Sequence, residues 1–67
     1  MEEGWSRIYS TADPVKIEIL KSMLEEENIQ AVVINKQDSS YLFGESEVYV
    51  SSDDALAALQ IIRNAEF

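Results

Sequence analysis

DPVKIEILKSMLEEEN, residues 13–28, decides the fold, because it reads as one helix standing between two strand-like stretches. Asp13 supplies a side-chain oxygen for an N-cap. Pro14 suits the first helical position, where its φ is already set and its missing N–H leaves no donor unpaired. At about 100° per residue, Val15, Ile17, Ile19, Leu20, Met23 and Leu24 fall within one half of the wheel, with Glu18, Lys21, Ser22, Glu25 and Glu26 opposite. One face packs and the other is solvated. Asn28 reads as the stop, since Asn tolerates the left-handed conformation common just past a helix end.

Upstream, WSRIYST (residues 5–11) alternates and is rich in aromatic and β-branched residues, which predicts a first strand. Downstream, QAVVIN (30–35) is a short apolar run that suits a second strand with much of both faces covered. A strand-helix-strand unit crosses over right-handed, and its two parallel strands can admit a third, antiparallel strand between them. SEVYVSS (46–52), where Val48 and Val50 alternate with Glu47 and Tyr49, predicts that third strand. Ser51 or Ser52 then caps a last helix with Asp53 and Asp54 in its first turn, favourable to the helix dipole. Ala55, Leu56, Leu59 and Ile62 are its expected buried stripe. The order β-α-β-β-α predicts an α+β, split βαβ two-layer sandwich, a three-stranded sheet with both helices on one face, as a single domain over residues 1–67.

Sixty-seven residues lie near the lower limit for a self-supporting core, where folding buries only roughly 60% of the chain's accessible surface. Small domains gain margin from disulfides, metals or oligomerisation. With no Cys and no His, oligomerisation is the supplement left, and no disulfide framework or zinc motif exists. The net charge of −8 opposes binding to a phosphate backbone, so nucleic acid is not an expected partner. MEEGWSRIYS lacks the features of a signal peptide, and no apolar run approaches the ~20 residues of a spanning helix. No membrane association and a cytoplasmic location are expected.

Absence of His and Cys also removes the commonest general base and the thiolate nucleophile. Carboxylates remain, but Glu25, Glu26 and Glu27 read as a solvated run and Asp53 and Asp54 as capping residues, with no EF-hand spacing. No catalysis, no cofactor and no metal are expected. Strand alternation offers more: with Ile8, Val48 and Val50 toward the helices, Trp5, Arg7, Tyr9, Glu47 and Tyr49 fall on the other sheet face. Arg7 is expected to lie over an aromatic ring or to pair with Glu47 across the strands. Aromatic sheets of this topology can stack RNA bases, but the acidity of the chain argues against it.

Tyr41, Leu42 and Phe43 sit in SSYLFGE (39–45), within the connection between the second and third strands. Nothing beside them supplies reactive groups. They are expected to cover an edge of the aromatic face, either in their own chain or in a dimer mate. The first strand, left at an edge because the chain is too short for a fourth, gives a second route to association between copies.

WSRIYST, ILKSMLEEENIQAVVIN (19–35) and EVYVSSDDALAALQII (47–62) together resemble the putative prokaryotic signal-transducing protein family. The resemblance spans nearly the whole chain and rests on apolar positions, caps and helix starts. It implies a ferredoxin-like α+β fold and a likeness to the nitrogen-regulatory PII proteins, which change a partner's activity when small molecules bind. The chain departs from PII in its short connection between the second and third strands and in lacking a Gly-rich phosphate loop or basic cluster, so nucleotide binding is not carried over.

The expected function is therefore a regulatory or adaptor-like module that binds a protein partner, or a second copy as a homodimer, through Trp5, Arg7, Tyr9, Tyr41, Phe43 and Tyr49. The alternative is a small-molecule sensor of the amino-acid-binding type working as a homodimer. Such domains bind ligand near a Gly-containing turn after the first strand, whereas here that turn, Thr11 to Pro14, has no Gly.

Overall fold

The computed structural model describes residues 4–35 and 45–65. The elements run β1 (Trp5–Thr11), α1 (Pro14–Glu26), β2 (Ala31–Asn35), β3 (Ser46–Ser51), a 3₁₀ turn (Ser52–Asp54) and α2 (Ala55–Asn64). The sheet order is β1-β3-β2, and both pairings are antiparallel, so β1 and β2 run parallel with β3 between them. This is the split βαβ arrangement of an α+β, ferredoxin-like sandwich. Among the described residues, no helix is long and apolar enough to cross a membrane.

Local chemistry sets the ends of α1. The Asp13 carboxylate accepts from the Val15 N–H at 2.9 Å, and the Asp13 N–H donates to the Thr11 hydroxyl at 3.1 Å, which turns the chain out of β1. At the other end Asn28 takes φ 60°. Its N–H donates to the Glu25 carbonyl while the Ile29 N–H donates to that of Leu24 at 2.9 Å. These two bonds are a Schellman closure, and Ile29 and Leu24 meet in the core, the hydrophobic contact that accompanies it. Asn28 thus ends the helix as its sequence suggests. The second cap is more elaborate than expected: Ser51 caps the 3₁₀ turn by accepting from the Asp53 N–H, and α2 proper begins only at Ala55.

One buried cluster joins Ile17, Leu20 and Leu24 of α1, Ile29, Val48 and Val50 of β3, and Ala58 of α2. Its membership corrects both expected stripes. Val15 and Ile19 are 62% and 45% exposed, because a helix resting on a sheet buries a stripe of roughly 100° rather than half its wheel. In α2, Leu56 and Leu59 are 81% and 46% exposed, while Ala58 is fully buried and Ala55, Ile61 and Ile62 pack around it. Ala58 is thus the α2 residue that is fully buried in the cluster with Val48 and Val50.

Strand β1 departs from simple alternation. Arg7 stands opposite Tyr49, yet the next pair is Tyr9 with Val48, which leaves Ile8 as an extra, bulged residue. Beyond a bulge the facing of every side chain reverses relative to a regular strand. Ile8 packs against the core as expected, and Tyr9 joins it there. The expected position of Tyr9 on the opposite face is therefore overturned, the cause being one inserted residue.

Candidate functional site

Residues directly opposite in an antiparallel pair share a face. Since Val48 and Val50 point into the core, the other face of β3 carries Glu47, Tyr49 and Ser51. Pairing adds Ser10, Arg7 and Trp5 from β1 and Ile34 and Val32 from β2. This outer face holds two aromatic rings and two aliphatic side chains around a charged centre. Trp5, Tyr49, Val32 and Ile34 are each half-buried.

The charged centre is built on Glu47, whose side chain is only 7% exposed although it is acidic. A buried carboxylate needs hydrogen-bonded partners to offset its lost hydration. Arg7 Nη1 donates to Glu47 Oε2 at 2.7 Å, and the Tyr49 hydroxyl donates to Oε1 at 3.0 Å. Each carboxylate oxygen thus has a donor. The Arg7 guanidinium, 58% exposed, reaches diagonally across the strands from its register partner Tyr49. The hydrogen bond to Glu47 and then the charge of that carboxylate hold Arg7 above its ordinary, already high pKa. The guanidinium stays charged through the neutral range, so its titration changes nothing there, and what its raised pKa contributes is lost only in strong alkali, as pH rises through the raised value. At the rim, Ser10 donates to Glu45 at 2.8 Å.

Of the residues expected in the site, Trp5, Arg7 and Tyr49 share the outer face, and the cross-strand pairing of Arg7 with Glu47 is present. Tyr9 is on the core side. Tyr41 and Phe43 lie outside the described residues. Val32 and Ile34, not counted in the site beforehand, belong to this face, and the signal that could have found them is their alternation with Ala31 and Val33 once Val48 and Val50 are taken as core. Among the described residues, no group of three or more acidic side chains is assembled that could hold a metal ion, and no buried side-chain nitrogen or oxygen lacks a hydrogen-bond partner. The arrangement suits recognition: rings and aliphatic chains offer contact area, and a fixed charge pair offers orientation.

A second feature is a hollow of about 450 Å³ between α2 and the turn that ends α1, with Glu27, Asn28, Gln60 and Asn64 among its walls. Among the described residues, its polar side chains are amides and carboxylates, none of them cationic.

Compared with known families, the chain is matched over residues 5–66 by the model of a family described as putative prokaryotic signal transducing protein. No curated protein and no solved structure gave a match.

Proposed function

This chain belongs to the putative prokaryotic signal transducing protein family, and from that premise we propose that it is a non-catalytic regulatory binding module whose outer sheet face receives a protein partner. The observation that carries this reading is the outer face itself. Trp5, Tyr49, Val32 and Ile34 surround a satisfied Arg7–Glu47 pair on the central part of the sheet. Trp, Tyr and Arg are the residues that dominate protein–protein binding energy, especially when grouped and ringed by neighbours that exclude water. Side chains spread over all three strands offer broad contact area of the kind a protein surface uses.

The test is to replace Trp5 and Tyr49 together by Ser and compare partner capture from the source cell with circular dichroism of the purified chain. The reading expects capture to be lost while the fold spectrum is kept and unfolding stays cooperative, with a thermal midpoint lowered only by the loss of the Tyr49 donor to Glu47. Retained capture, or global unfolding, would contradict it, the latter by making the two rings a structural requirement.

A second reading, a small-molecule sensor, is favoured by the hollow beside Asn28. Its amide and carboxylate walls suit a small polar ligand that carries an amine. A thermal-shift screen with amino acids separates the two: a raised midpoint that Asn64→Ala abolishes would support the sensor, and a flat screen would leave it without support.

A further inference from the structure

Helix α2 carries an exposed apolar flank that neither the core nor the outer face uses. Leu56 is 81% exposed and Leu59 46%, and at about 100° per residue Arg63 falls between them on the wheel. The direction of this flank follows from the fold. Ala57, Ile61 and Asn64 of α2 face the turn Glu27–Ile29, which leads into β2. Leu56 and Leu59 lie on the other side of the helix and so look away from β2. α2 packs on β1 and β3, and β1 is the edge strand opposite β2. The flank therefore overhangs the β1 edge of the sheet.

Its charge is unlike that of the rest of the molecule. The chain has 13 acidic residues, yet ALAALQIIRN contains none, so this is a surface on which two copies of a strongly acidic chain can meet without facing carboxylates along the contact. The acidic residues nearest in sequence are Asp53 and Asp54 in the turn before the helix and Glu66 after it, and the basic one is Arg63 in its last turn.

We propose that a second copy of this chain covers the flank, with α2 of each copy antiparallel to α2 of the other across a two-fold axis. Placing Leu56 against Leu59 of the second copy makes the contact reciprocal, as an isologous interface requires. In that register Arg63 stands opposite residue 52 of the second copy, and Asp53 is only about 1.5 Å further along the axis. The two-fold repeats the pairing, so two Leu–Leu contacts are flanked by two Arg63–Asp53 pairs. Charge complementarity of this kind sets orientation and register as well as adding attraction. The bulge at Ile8 interrupts the free edge of β1, and bulges blunt edges against pairing. The contact is accordingly between helices, with the two β1 edges side by side and no ladder required between them. The dimer leaves both outer faces open, so it stands independently of the partner-binding reading.

The experiment is sedimentation equilibrium on the full chain over a wide concentration range. Wild type is expected to reach twice the monomer mass. Leu56→Asp should weaken the dimer at least tenfold with an unchanged circular dichroism spectrum, since the side chain is outside the core. Arg63→Asp should also weaken it, and adding Asp53→Arg should restore it, which no fold defect would mimic. A strictly monomeric wild type, a dimer indifferent to Leu56→Asp, or failure of the charge swap to restore association would overturn the proposal. If the chain is monomeric and Leu56→Asp instead reduces partner capture, the flank belongs to that partner and the dimer is excluded.

Discussion

Glu47 and Leu56 are each, by residue type, in the wrong place: an acid that is buried and a large aliphatic that is exposed. Glu47 tolerates burial because Arg7 and Tyr49 give both its oxygens donors. Leu56 remains exposed because α2 turns Ala58 into the buried cluster, and Leu56, two residues before it, falls about 200° away on the helix. A matched pair of truncations reads this difference. Leu24→Ala, in a fully buried site, should lower the free energy of unfolding by about 2–5 kcal/mol through lost transfer energy and a residual cavity. Leu56→Ala should stay within about 0.5 kcal/mol of wild type, as surface substitutions do. Urea denaturation at a concentration low enough for the chain to be monomeric measures both, and a large loss at Leu56 there would show that α2 is rotated from the position described. Hydrophobicity alone ranks these two leucines equally. Only the rotation of α2 against β3 separates them, and that depends on packing between residues distant in sequence.

At the level of elements, the ends were legible and the interruptions were not. Asp13, Pro14 and Asn28 act through their own side chains and backbone preferences, so a local reading finds them. Asn28 at φ 60° gives a clean test. Asn28→Ala should cost about 1–2 kcal/mol, the penalty of a left-handed conformation for a residue with an ordinary Cβ. Asn28→Gly should be close to neutral, because glycine adopts that region freely at some cost in chain entropy. Equal losses for Ala and Gly in urea denaturation would mean that the Asn side chain, and not its backbone, closes the helix. The bulge in β1 is of the opposite kind. Nothing in WSRIYST distinguishes Ile8 from the other strand residues, and the insertion is visible only in the register with β3, where Arg7 meets Tyr49 and Tyr9 meets Val48. One residue of slippage moved Tyr9 from the expected binding face to the core, while Trp5 and Arg7, before the bulge, kept the facing that alternation gave them.

For the molecule as a whole, topology followed from a single crossover argument, with the third strand lying between two parallel ones. The candidate site was legible where it depended on pairing across β3 and was missed on β2, where AVVI has no alternation of polarity and the facing of Val32 and Ile34 follows only from their register with Tyr49 and Glu47. Two surfaces emerge with different chemistry: an outer sheet face of rings about a charge pair, and a leucine flank on α2 with no acidic residue along it. The first is proposed to receive a partner and the second another copy, so each can be removed without the other. The partner-binding claim is met most directly by amide chemical-shift mapping of the isotope-labelled full chain titrated with the protein it captures. The account predicts that shifts concentrate on Trp5, Arg7, Val32, Ile34, Glu47 and Tyr49, with α1 and α2 little changed. Shifts confined to the helices, with the outer face of β3 silent, would contradict it.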